Sequence, residues 1–136
     1  MMKRQGSELE DKLIQLAQKA YSQAYVPYSH YPVGAASLWS SGKIYTGCNV
    51  ENASYGLTIC AERNSIFQAV ANGERSLNSI AIAVPTEVFP SACGACRQVL
   101  REFAKDCLVL LVNGKGEVRK STLKELLPDS FGPEYL

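Results

Sequence analysis

The chain of 136 residues is short of several features that would assign it to a class, and each shortage excludes one. It has no excess charge of one sign: 14 Lys and Arg stand against 13 Asp and Glu, leaving +1 with the one histidine neutral. A nucleic-acid backbone as main partner ordinarily requires a basic excess, so that role is disfavoured. Long apolar runs are absent. The longest is Cys107 to Val112, far below the roughly 20 apolar residues of a membrane helix. No signal peptide is expected, because Lys3 and Arg4 are followed by Glu8, Glu10 and Asp11 before any apolar stretch begins. Repeats, low-complexity tracts and Pro/Ser linkers are also lacking, and the length suits one domain, 1–136, around one core. A nucleotide-phosphate loop is missing, since Asn113-Gly114-Lys115-Gly116 lacks the Walker spacing and reads as a hairpin turn.

What is present is an ordinary globular balance, 46% hydrophobic and 20% charged, which supports a packed core. Five cysteines are the unusual feature. An odd number cannot all pair internally. The expected compartment is the reducing cytoplasm, where closely spaced cysteines more often bind metal or do chemistry than form disulfides.

Periodicity divides the chain into nine elements. Ser7 with Glu10 reads as a capping box opening a helix with Leu9, Leu13, Leu16 and Ala20 on one face. Tyr25 to Pro32 breaks it with two prolines. Val33 to Trp39 and Ile44 to Asn49 read as a hairpin about Ser41-Gly42, with Gly47 marking weakness or a close approach. Cys60 to Asn72 has helical spacing at Ile59, Arg63, Ile66, Phe67 and Val70, and Gly73 closes it. Ile80 to Val84 and Cys107 to Val112 are wholly apolar and read as buried strands, separated by a helix from Cys93 to Phe103 with Val99, Leu100 and Phe103 inward. Glu117 to Lys120 reads as a polar strand, and Thr122 with Glu125 caps a last short helix stopped by Pro128. Apolar strands alternating with helices predict an α/β fold, a three-layer α/β/α sandwich with a mixed sheet of about five strands.

Three of the cysteines fall at the starts of helices: Cys60 in Cys60-Ala61-Glu62, and the pair in Cys93-Gly94-Ala95-Cys96. A Cys-x-x-Cys on a first helical turn points both sulfurs the same way. Helix N-termini favour the thiolate form. Three thiolates can hold Zn²⁺ and leave a fourth tetrahedral position for water, the mark of a catalytic rather than a closed site. Glu62 would lie beside that water without binding the metal, as a carboxylate that takes and returns a proton.

These motifs match the signature of zinc nucleobase deaminases in its three-cysteine form. The stretches Pro27 to Ala36, Gly47 to Tyr55, Cys96-Arg97-Gln98-Val99 and Leu126-Leu127-Pro128 extend the likeness over nearly the whole chain. Together they resemble the small homotetrameric cytidine deaminases. The resemblance implies zinc on Cys60, Cys93 and Cys96, one ion per subunit, with Glu62 as proton shuttle. It implies Asn49 and Glu51 on the ribose hydroxyls, and Tyr31 (where the family usually has Phe) against the pyrimidine. Ala61, Tyr55 and Phe131 are implied as further substrate contacts, Phe131 and Tyr55 reaching in from neighbouring subunits. Arg63 is implied as a donor to the thiolates, offsetting the −1 that three thiolates and Zn²⁺ sum to. The activity implied is hydrolytic deamination of cytidine and deoxycytidine to uridine and deoxyuridine with loss of ammonia, in pyrimidine salvage. Nucleoside substrate, no nucleic acid and no membrane are the partners it implies. Ala92 stands where the signature has Pro, which leaves the loop into that helix less rigid.

Three rival readings are open. His30 could complete a closed Cys₃His structural zinc, leaving Glu62 a surface charge. The same chemistry could act on a polynucleotide, although Lys3, Arg4, Lys115, Arg119, Lys120 and Lys124 are scattered among acidic residues. A nucleoside analogue could be the substrate. Cys48 and Cys107 fall in expected strands and read as small buried hydrophobes.

Overall fold

Strands that are apolar on both faces need cover on both sides, and the order of elements supplies it. The computed structural model describes residues 5–136, with side chains from Glu8 onward. The elements are α1 (Gln5–Tyr21), β1 (Gly34–Trp39), β2 (Ile44–Cys48), α2 (Ala61–Ala71), β3 (Leu77–Ala83), α3 (Gly94–Phe103), β4 (Leu108–Val112), β5 (Val118–Thr122) and α4 (Leu123–Leu126). Short 3₁₀ turns cover Tyr55–Leu57 and Pro133–Tyr135.

One mixed sheet runs in the order β2-β1-β3-β4-β5. Only β3 and β4 are parallel, with Ile80 opposite Val109 and Ile82 opposite Leu111. A parallel pair requires a crossover, and α3 is that crossover. Apart from an irregularity between Leu38 and Trp39 in the pairing of β1 with β3, the side chains alternate between the two faces. Ala36, Leu38, Ala81, Ala83, Leu110 and Val112 pack with Leu13 and Ala17 of α1 on one face. Ala35, Trp39, Ile80, Ile82, Val109 and Leu111 pack on the other face with Ile66, Ala69 and Leu100 of α2 and α3. The expected three layers and five strands are therefore present.

Close approach on both faces depends on missing side chains. A Cβ on Gly34 would lie 2.0 Å from the Ala17 carbonyl oxygen of α1, and one on Gly47 would lie 2.4 Å from the Ser65 nitrogen of α2. Gly47 thus marks a backbone-to-backbone contact between β2 and α2.

Several local expectations need correction. α1 already includes Gln5, so Ser7 lies inside the helix and does not cap it; Lys3 and Arg4 lie outside the described residues. The buried stripe of α1 is centred on Leu13 and Ala17, while Leu9 is exposed. On α2 the inward face is Ala61, Glu62, Ser65, Ile66 and Ala69, and Phe67 points to solvent. The close contact at Gly47 requires small residues there, and the polar Ser65 is satisfied by Ser37 Oγ at 2.7 Å and the Tyr45 carbonyl at 2.9 Å. Cys60 and Cys93 are N-caps, not helical residues. Cys107 is buried one residue before β4, and Cys48 is half-buried at the end of β2.

Candidate metal centre and adjoining cavity

Cys60 ends the loop after β2 and Cys93 ends the loop after β3, so both helices that follow begin at one end of the sheet. Cys96 lies one turn into α3, and the Cys93 sulfur accepts from its backbone N–H at 3.5 Å. The three Sγ atoms fall within 4.8 Å of one another, and Cys60 and Cys93 are 3.8 Å apart. Tetrahedral Zn–S bonds of about 2.3 Å place sulfurs about 3.8 Å from each other, the separation of Cys60 and Cys93, so the donor set suits zinc. Among the described residues this is the one group of potential ligands that converges, and neither His30 nor Glu62 joins it. The closed Cys₃His reading therefore lacks its fourth ligand.

A hydrogen bond from Cys96, aided by Arg63 and Cys93, draws the Cys60 thiol below its ordinary value. The same bond and burial push Cys96 upward. Arg63 Nη2 donates to Cys60 Sγ at 3.4 Å, as expected for a group that offsets thiolate charge. The sulfur contact in turn raises the Arg63 guanidinium above its ordinary value.

A cavity of about 200 Å³ adjoins the sulfurs. Cys60 and Cys93 form part of its wall together with Ala61, Glu62, Asn49 and Tyr31. Glu62 is only 4% exposed. Burial, reinforced by the charge of Cys60, raises its carboxyl to about 7. Asn49 is held by both ends of its amide: Oδ1 accepts from Val33 N at 2.9 Å and Nδ2 donates to the Tyr31 carbonyl at 2.9 Å. A primary amide has two N–H donors, so one remains for a ligand.

The other expected contacts lie at different distances from this centre. Glu51 lines a second cavity of about 270 Å³ with Tyr28, Ser29 and Tyr55, and Thr58 belongs to both cavities. Its carboxylate accepts from Tyr28 N at 3.0 Å, Ser29 N at 3.1 Å and the Ser29 hydroxyl. The Ser29 hydroxyl first, then these backbone donors, holds Glu51 below the usual carboxylate range. Tyr55 is exposed and sits against Tyr28, with ring centroids 5.7 Å apart. Phe131 lines neither cavity of its own chain; it stacks on Tyr135 at 5.4 Å and its carbonyl accepts from Gln98.

Sequence reasoning missed Thr58, Pro90 and Ser91 on the first cavity and Ser29 beneath Glu51. All four sit in irregular segments, where no periodicity distinguishes a lining residue from a solvated one.

Known proteins agree with this geometry. The family model for the cytidine and deoxycytidylate deaminase zinc-binding region matches residues 7–112. The chain is 50% identical over 127 residues to a cytidine deaminase of Sporosarcina psychrophila, covering 93% of each. It is 46% identical to one of Halalkalibacterium halodurans, covering 90% of this chain and 93% of that one. The crystal structure of cytidine deaminase from Burkholderia pseudomallei superposes with a TM-score of 0.85 at 47% identity, covering 89% of this chain and 98% of that one. A converging three-cysteine site, a shared fold and identity over nearly the full length place the chain in the cytidine and deoxycytidylate deaminase family.

Proposed function

We propose that the chain is a zinc-dependent hydrolase that converts cytidine and deoxycytidine to uridine and deoxyuridine with release of ammonia. The observation that carries this is the buried Glu62 on the wall of a cavity whose neighbouring wall is Cys60 and Cys93. Cys60, Cys93 and Cys96 would hold zinc, which would supply a Lewis acid to polarise a water for attack on C4 of the base. Glu62 would take a proton from that water and place it on N3, then take the proton of the hydroxyl added at C4 and deliver it to the departing amino group, so that the C4 carbonyl forms as ammonia leaves. Burial raises its carboxyl above the usual carboxylate range, the direction that suits a group which must accept and return a proton.

Asn49, Ala61 and Tyr31 line the cavity that would take the base and sugar. Glu51, in the adjoining cavity, is an ionised acceptor suited to a ribose hydroxyl. Arg63 moderates the thiolate charge. Tyr55 and Phe131, both exposed in the isolated chain, would complete sites on neighbouring copies in a homotetramer. The described residues contain no helix long and apolar enough to cross a membrane, and near-zero net charge suits a free nucleoside over a polynucleotide. Residues 1–136 would act as one domain in the cytoplasm, in pyrimidine salvage.

The test is an ultraviolet assay of cytidine deamination with parent and Glu62→Gln. The glutamine is isosteric but cannot carry the proton. Turnover is expected to fall at least about 100-fold while zinc content and fold are kept. Near-parental activity in the variant would sink the assignment.

A further inference from the structure

The residue one position beyond Cys96 is Arg97, and its side chain turns back over the start of α3. Nε donates to the Ala92 carbonyl at 2.7 Å, Nη2 to Ser91 Oγ at 2.9 Å and Nη1 to the Leu126 carbonyl at 2.6 Å. The Arg97 backbone N–H also donates to the Cys93 carbonyl at 3.0 Å. One planar fork thus joins the loop that ends in Cys93 to the last residue of α4. Charged donors make such bonds roughly twice as strong as neutral ones.

The loop it holds needs holding. It connects β3 to α3, and Pro90, Ser91 and Cys93 from it line the cavity. Of the three clustered cysteines, Cys96 is buried, Cys60 half-buried and Cys93 exposed. Surrounding side chains therefore fix Cys93 least, and its position depends on the backbone leading to it. At residue 92 a proline would restrict that backbone covalently, but here the residue is alanine.

We propose that Arg97 is a positioning residue of the zinc centre: its three-way fork supplies, through Ala92 and Ser91, the restraint on Cys93 that the chain lacks at position 92. Lysine cannot replace it, because a single ammonium does not span three separated acceptors. The proposal rests on the reading that the three cysteines hold zinc.

Transfer of zinc to a colorimetric chelator, followed alongside urea unfolding, tests both parts. Zinc content of the parent is measured first, and a parent that binds none overturns this proposal together with the reading beneath it. With zinc present, Arg97→Ala is expected to release it about 10–100-fold faster, and Arg97→Lys to fall between. Adding Ala92→Pro to Arg97→Ala is expected to recover most of the lost retention, which a general loss of stability would not allow. If Arg97→Ala does not fold, Arg97→Lys with and without Ala92→Pro makes the same comparison. Unchanged zinc release in the Arg97 variants, or faster release that Ala92→Pro leaves untouched, overturns the proposal while leaving the zinc site standing.

Discussion

Replacing Gly47 by alanine adds one carbon atom where the structure has no room for it. That Cβ would lie 2.4 Å from Ser65 N, 2.7 Å from the Ala61 carbonyl oxygen and 3.0 Å from the Asn64 carbonyl carbon, whereas ordinary contact begins at 3.4 Å. All three atoms are backbone, so no side-chain rotation relieves the overlap. β2 and α2 must separate by about 1 Å, and overpacking of this kind costs about 1–3 kcal/mol. With rigid backbone on both sides the upper figure applies, a fall in Tm of roughly 10 °C for a chain of this size. The displaced helix begins at Ala61 and is capped by Cys60, so Glu62 and one sulfur move with it. A 1 Å misplacement of a catalytic group can cost about 100-fold in rate. Thermal unfolding at fixed protein concentration, paired with the cytidine assay, reads both effects. Gly56→Ala is the control, since a Cβ there meets nothing within 4 Å, and its effect should stay within about 1 kcal/mol. A Gly47→Ala protein that melts with the parent and turns over at the parental rate would refute the account of this contact.

Two further outcomes follow from groups away from the cavity. Burial pushes the Cys107 thiol up to about 12, so in the folded protein it should stay unmodified by iodoacetamide at mildly alkaline pH while unfolded protein is labelled at all five cysteines; peptide mapping that finds Cys107 among the first labelled would contradict this. Glu134 pairs with Arg101, and backbone hydrogen bonding first, then Arg101, lowers its carboxyl. A lowered folded value stabilises above the unfolded one and is lost as pH falls through the folded one. The urea-midpoint advantage of the parent over Glu134→Gln should therefore be present at neutrality and vanish under acid below the ordinary glutamate value of about 4.3; an advantage that grows with acid would show the pairing to be misread.

The legible parts of this protein are those written in local pattern. Ile80 to Val84 and Cys107 to Val112 are apolar without interruption, and both became central strands within a few residues of the expected limits. Cys-x-x-Cys and Cys-x-Glu at helix starts foretold a metal centre because a first turn fixes where side chains point. The spacing at Ile66, Phe67 and Val70 foretold the helix but not which side faces the sheet. The inward side is Ala61, Glu62, Ser65, Ile66 and Ala69, and the backbone of Ala61 and Ser65 lies against Gly47. Arg97 gave no signal either, since its acceptors at Ala92 and Leu126 are carbonyls that every residue carries.

By itself, then, the sequence determined most of the elements, the three clustered thiols and the carboxylate two residues beyond Cys60, since these depend on residue type and short-range spacing. Only the tertiary structure decided that the three sulfurs meet within bonding reach of one ion, that Glu62 is buried enough for its carboxyl to rise to about 7, and that His30 is left outside the cluster. Those outcomes depend on where separate loops end in space. Strand order and backbone contact set that, and neither is encoded in any short stretch of the chain.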